Sequence, residues 1–406
     1  MAVDYEVICR QGDLGSLLAA AFLAKDKCRI LLLPPLSGKA PEPNFLIPVV
    51  RGYPAQLLAS VIELESPPSD FFSWQSESGI CSWPGSAQTH APEKRLELEQ
   101  MWRQIDLCML QGLEMPTSSP GGIWRMLVLL VRNELLRESR HRTLASRLDS
   151  ADIPIKEQSL WRSLIPLISL SRFADPPLLS FAFGLQTLLA PDVWVGIGEL
   201  KTKLLDYLLS QGAHQVDDEW SPVFDGKWFI GVGNDGKVIR RSTVFLADSD
   251  PQSLQKEVPS GLQRRNFKRQ FQLDDPGYIQ VPIEPETVSS QAQPSTERAL
   301  YHLDCRGADD FLGSTFFGPG GENDQSSIGH RWQVVGEDKD QKSGRAWGWQ
   351  PRLPAMMGGS FLPLTGSLCR FYQIGWHNLP GFGLGGLIYS ARQTATAVLR
   401  NELKKV

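Results

Sequence analysis

The segment that most constrains this chain lies at its start. Residues 5–10 form a short apolar run, and Gln11-Gly12-Asp13-Leu14-Gly15-Ser16 has the make-up of a tight turn. Leu17 to Lys25 (LLAAAFLAK) is rich in strong helix formers, and Cys28 to Leu33 (CRILLL) is a second apolar run. A strand, a glycine turn, a helix and a strand within about thirty residues make a βαβ unit, which requires a parallel sheet. Pro34-Pro35 ends the second strand abruptly. An α/β fold is the expectation.

Two later segments extend this pattern. Val193-Trp194-Val195 and Gly196-Ile197-Gly198 lead into a helix over 199–211, with Gly212 placed for a left-handed cap. Residues 214–216 and 227–232 read as strands, Asn234-Asp235-Gly236 as a turn, and 237–247 as one more strand pair. Near the C-terminus the cluster Gly381-Phe382-Gly383-Leu384-Gly385-Gly386 precedes a helix from about 387 to 403. Between these segments the chain changes character. Residues 38–122 are irregular and rich in Pro and Ser, with one helix near 93–113. The pattern over 123–148 predicts one long amphipathic helix, and 160–189 one or two more, divided at Pro176-Pro177. Residues 282–297 read as a linker and 307–348 as loop.

Composition narrows the function classes. At 406 residues the chain fits two or three packing units of roughly 150 each. A formal charge of −4 supplies no global attraction for nucleic acid. The six cysteines include no C-x-x-C pair, which argues against a zinc site or a redox dithiol, and Cys9 and Cys28 sit in apolar runs as buried free thiols. The first residues carry acids rather than a basic signal region. The apolar stretch at 160–190 is broken by Arg162, Arg172 and Asp175, so no transmembrane span is expected. These features point to a cytoplasmic protein.

Taken in order, residues 5–33, 193–247 and 371–400 resemble the flavin-binding segments of the amine oxidase and phytoene desaturase-like flavoproteins. The central match is GIGELKTKLLDYLLSQGAHQV and the C-terminal one GWHNLPGFGLGGLIYSARQTA. The resemblance implies a Rossmann-like FAD/NAD(P)-binding domain assembled from 1–60, 190–255 and 365–406. It also implies an α+β substrate-type domain with a helical part, from 61–189 and 256–364. Residues that would contact FAD, if that contact is retained, are Arg10, Gly12, Leu14, Gly15, Gly375, Gly383 and Leu384.

The same resemblance exposes departures. The family's G-x-G-x-x-G is expected to fall on Gln11, Asp13 and Ser16, none of them glycine. Asp13 reads as the cap of its own helix and puts a carboxylate where a phosphate would bind, with only Arg10 nearby to offset it. Pro34 stands where the family has the acid that holds the adenosine ribose, and proline has no side-chain acceptor. Trp376 follows Gly375 in place of the family's aspartate; its bulk reads as packing, with His377 beside it the one histidine near the site. The expectation is an eroded FAD site, with no cofactor at stoichiometry, in a non-catalytic pseudoenzyme. Its work is to bind a catalytic flavoprotein paralogue, a second copy of itself or an apolar small molecule. The alternative is a working FAD-dependent oxidoreductase that abstracts a hydride from an apolar or amine substrate through divergent cofactor contacts.

Overall fold

The computed structural model describes residues 4–12, 14–36, 49–64, 72–76, 79–83, 92–110, 134–139, 142–149, 178–195, 197–234, 236–247, 257–262, 277–279, 301–306, 311–317, 346–348, 368–375, 379 and 382–404. Its first unit is the expected one: strand β1 (Tyr5–Arg10), helix α1 (Leu14–Lys25) and strand β2 (Ile30–Leu33). The two strands are parallel, in register from Val7↔Ile30 to Arg10↔Leu33. Every residue of α1 from Leu14 to Ala24 is buried. A helix apolar on all sides has to be covered on all sides. The sheet covers one side of α1; two later helices, Ile197–Ser210 and Gly383–Ala397, pack against it as well.

Strands β3 (His214–Gln215), β4 (Ser221–Asp225), β5 (Trp228–Asn234), β6 (Lys237–Ala247) and β7 (Phe371–Gln373) complete the main sheet. Its parallel part runs β3-β2-β1-β6-β7. The sequence pattern suggests a strand pair over 237–247, but the structure has a single strand with two partnerships. Lys237 to Arg241 pairs antiparallel with β5, and Ser242 to Leu246 pairs parallel with β1. The register shifts between Val238 and Arg240. Strand β4, which the sequence pattern does not signal, pairs with β5 and finishes a three-stranded meander. Gly236 takes the left-handed conformation that the β5–β6 turn requires (φ +75°).

Alternating side chains bury both faces of the sheet. Val7, Cys9, Ile30, Leu32, Val244, Leu246 and Tyr372 face the helices. Ile8, Leu31, Leu33, Phe245, Ala247 and Phe371 face the meander, where they meet Trp220, Phe229 and Val232. Phe245 stacks on Phe371 at 5.3 Å between ring centroids.

Elsewhere the fold departs from the sequence expectations. Helix Pro92–Leu110 starts one residue before the expected 93–113 span and packs against Leu178–Leu189, which starts directly after Pro176-Pro177. The single helix expected over 123–148 is two short ones among the described residues, Glu134–Ser139 and Leu144–Asp149. Thr143 and Ser146 set the break by reciprocal capping: Thr143 Oγ1 accepts from the Ser146 N–H and Ser146 Oγ accepts from the Thr143 N–H. The supposedly irregular region 38–122 contains helix Tyr53–Ala59 and the hairpin Phe72–Ser76/Gly79–Trp83. That hairpin joins Tyr301–Arg306 and Phe311–Phe317 in a four-stranded antiparallel sheet, so part of the presumed loop at 307–348 is strand. The C-terminal helix begins at Gly383 rather than near 387, and Val398–Leu403 continues it as a π-helix. Gly212 has the expected left-handed cap (φ +83°). Among the described residues, no helix is long and apolar enough to cross a membrane.

Gly15 is the tightest joint between the first unit and the C-terminal segment. A Cβ added there would lie 2.6 Å from the backbone oxygen of Ile374 and 3.0 Å from Leu387. Gly15→Ala should therefore destabilise by about 2 kcal/mol, despite alanine's better helix propensity, because backbone rather than a flexible side chain must move. Urea denaturation measures it as a lower midpoint at unchanged slope.

Candidate functional site

Chemistry in an open parallel sheet sits outside the carboxyl ends of the strands, where connections leave in opposite directions. That point here is the β1/β6 boundary, because β2 flanks β1 on one side and β6 and β7 lie on the other. Arg10 closes β1 at this edge, and Gln373 closes β7.

Arg10 points to the meander face, as Ile8 does two residues earlier. Its side chain is fully buried (0 % exposed) and its partner Glu257 is nearly so (1 %). Nε donates to Glu257 Oε1 at 2.7 Å, Nη1 to the Pro34 carbonyl at 3.1 Å, and Nη2 to the Trp220 carbonyl at 2.7 Å. The guanidinium carbon lies 5.9 Å from the centroid of the Phe245 ring. Removing two charges from water is costly unless hydrogen bonds satisfy them in good geometry, and Arg10 meets that condition at each of its three nitrogens. The residue placed by sequence reasoning as a counter-charge for phosphate is committed to protein groups on the other face of the sheet.

The turn itself is compact. Gly12 is buried, the Gln11 N–H donates to the Leu33 carbonyl at 3.0 Å, and α1 starts at Leu14, which is a core residue. Ser16 is buried and its hydroxyl donates to the Arg10 carbonyl at 2.7 Å. Close helix packing, the duty of the third glycine in G-x-G-x-x-G, falls on Gly15 and not on Ser16. Counted back from Gly15, the three places read Arg10, Gly12 and Gly15. This corrects the register expected from sequence, which put them one residue later, on Gln11, Asp13 and Ser16. Asp13 lies outside the described residues.

At the C-terminal side, Ile374 and Gly375 are buried directly after β7. Trp376, His377 and Gly381 lie outside the described residues. Gly383 opens helix Gly383–Ala397 in the left-handed region (φ +56°), a conformation glycine adopts without strain. Leu384 is a core residue, and a Cβ on Gly385 would stand 3.1 Å from the ring of Phe183 in helix Leu178–Leu189. The structure thus brings Gly15 against the Ile374 backbone and Arg10 against Pro34. Gly383 and its neighbours instead face the helical part through Phe183, whose ring lies 5.2 Å from that of Phe382.

Sequence reasoning missed Glu257, Trp220 and Gln373. Glu257 carries no local signal, being one acid in an ordinary stretch (KEVPS) that only the fold brings to Arg10. Gln11 Nε2 and Gln373 Nε2 are buried with no hydrogen-bond partner among the described residues. A second polar cluster surrounds Arg51, whose guanidinium lies 3.8 Å above the Trp102 ring and grips Glu99 with two nitrogens, at 2.9 and 3.1 Å. Burial would raise the Glu99 carboxyl, but its bonds to Arg51 and Arg103 outweigh that and hold it below the usual range. Beside it, the Tyr53 N–H donates to Asp106 at 2.7 Å and the Gly52 N–H to Asp192 at 2.6 Å. Burial, aided by the nearby Asp192 charge, pushes Asp106 up. No cluster of three or more potential metal ligands occurs among the described residues.

Tested against a dinucleotide, the adenosine end of this edge does not fit. Pro34 offers no side-chain acceptor, and the carbonyls of Pro34 and Trp220 are already engaged by Arg10. Gly12 and Gly15 keep the small-residue turn that a phosphate would need.

Two variants probe these clusters. Glu257→Ala leaves the Arg10 guanidinium buried without its counter-charge and should cost roughly 3–5 kcal/mol in chemical denaturation. Asp106→Asn should raise the melting temperature at neutral pH, since a carboxyl whose folded value is raised is destabilising when ionised. That advantage should shrink as pH falls through the raised folded value of Asp106 and be gone below its unfolded value, a trend followed by thermal melts across a pH series.

No family model matches the sequence, and no curated protein matches it. Solved structures do share its fold. An oxidoreductase from Methanosarcina mazei aligns with a TM-score of 0.53 at 12% identity, over 96% of this chain and 100% of that one. Putrescine oxidase bound to putrescine aligns at 0.53 and 11% identity, over 98% and 99%. Cyclohexylamine oxidase from Brevibacterium oxydans aligns at 0.50 and 14% identity, over 98% and 99%. At such identities the likeness is one of fold alone.

Proposed function

We propose that this protein is a non-catalytic member of the flavoprotein fold, a pseudoenzyme that serves as a binding subunit. The division into a dinucleotide-type domain (1–60, 190–255, 365–406) and a substrate-type domain (61–189, 256–364) belongs to the same reading. One observation carries it. At the carboxyl ends of β1 and β2 the meander face of the edge is occupied by the protein's own Arg10 and Glu257, and Pro34 offers no side-chain acceptor for a ribose. A partner fits this reading: a catalytic flavoprotein paralogue, a second copy, or an apolar small molecule held between the two parts. Leu96, Leu107 and Leu110 of helix Pro92–Leu110 are each about half exposed, an apolar stretch of the kind partners cover.

A second reading has its own support. Gly12 and Gly15 keep the turn small, and Gly383 takes the left-handed conformation, features of a phosphate-cradling turn that favour a working FAD-dependent oxidoreductase acting on an apolar or amine substrate. Flavin affinity rests largely on backbone contacts that need no particular side chain.

Flavin colour decides between them. The purified protein should show no stoichiometric absorbance near ~450 nm, where bound flavin absorbs. Added FAD should leave its thermal melt unshifted, since a ligand that binds only the folded state must raise apparent stability. Stoichiometric yellow protein, or a saturable rise in melting temperature with FAD, rejects the pseudoenzyme in favour of the oxidoreductase.

A further inference from the structure

The groups around Arg10 come from separate parts of the chain: the residue after β2, the residue before β4, and the segment following β6. Every one of them is an acceptor, two carbonyls and a carboxylate, with the Phe245 ring as a further wall. A guanidinium is planar, cationic and purely a donor, so it matches this wall nitrogen for nitrogen. An adenine ring presents several acceptor nitrogens and a single amino group and matches this wall less well, whereas ribose hydroxyls could donate to it only at acceptors that Arg10 already holds. Yet the end of β2 is where this class of sheet receives the ribose of a bound dinucleotide.

We propose that Arg10 is an internal ligand. Its guanidinium fills a guanidinium-specific site, formed by Glu257, Pro34 and Trp220, at the place where the fold otherwise takes up adenosine. The edge is thereby closed, and the surrounding segments are tied together, without any nucleotide. The inference rests on the preceding reading only in that no nucleotide occupies this edge.

Arg10→Gly empties the site and leaves its three acceptors in place. This variant should melt about 10 °C below the wild type. Addition of n-propylguanidinium at about 10–50 mM, far below denaturing guanidinium concentrations, should recover several degrees along a saturating curve. Equal concentrations of n-propylammonium or ADP should not. Arg10→Lys and Arg10→Met keep most of the volume and serve if the glycine variant does not accumulate; lysine should fall between wild type and methionine in melting temperature. The proposal is overturned if Arg10→Met melts with the wild type, if n-propylguanidinium gives no saturable recovery, or if ADP stabilises Arg10→Gly more than n-propylguanidinium does. Colourless wild-type protein with failed recovery rejects the internal ligand alone. Yellow wild-type protein rejects both, because bound FAD would bring its adenosine to this edge.

Discussion

A guanidinium excluded from water cannot lose its charge, so its surroundings have to be built to suit it. Around Arg10 this demand fixes more than one side chain. The carbonyl of Pro34 must point inward at the end of β2, that of Trp220 must do so ahead of β4, and Glu257 must return to the sheet after β6. The main-chain carbonyl of the same residue accepts from Ser16, which anchors the first turn of α1. One residue therefore coordinates both faces of the sheet at its carboxyl edge. The aromatic layer of Phe224, Phe229, Phe245 and Phe371 lies on the face that Arg10 enters, with the Phe245 ring centroid 5.9 Å from the guanidinium carbon.

Likeness of fold does not by itself carry likeness of chemistry. The amine oxidases that share the architecture do so across nearly the full length of both chains, while identity stays near one residue in eight. Architecture tolerates such divergence because it depends on apolar alternation and small residues at a few close approaches. Site chemistry depends on particular atoms. Residues such as Arg10 and Pro34 can differ while β1 and β2 stay in register, yet they decide which groups line the ends of those strands.

Much of the architecture was legible from periodicity and punctuation. The unit over residues 5–33 announced itself through apolar runs and glycines, and Gly212 and Gly236 adopt the left-handed conformations their positions suggest. What was not legible had physical causes. A strand that changes partners midway, as β6 does, looks like two strands because its first half is largely exposed and its second half buried. The break at Thr143 came from hydroxyl capping that competes quietly with helix propensity. The glycine register slipped by one because composition shows that glycine is present but not which residue touches backbone; only the approach of Ile374 identifies Gly15. Glu257 was invisible because its role lies entirely in a contact across the chain.

The burial of α1 on every side also bears on how the protein comes to exist. Its cover includes helix Gly383–Ala397, and the parallel pairings join Tyr5 to Ser242 and Phe245 to Phe371. Such long-range contacts close late, because loop-closure entropy must be overcome before they contribute. During synthesis the first helix emerges with apolar surface on all sides and waits for a segment made hundreds of residues afterwards. A nascent chain of this kind needs shielding in the interval, so yield in the cell should depend on chaperone capacity more than the stability of the finished fold would suggest.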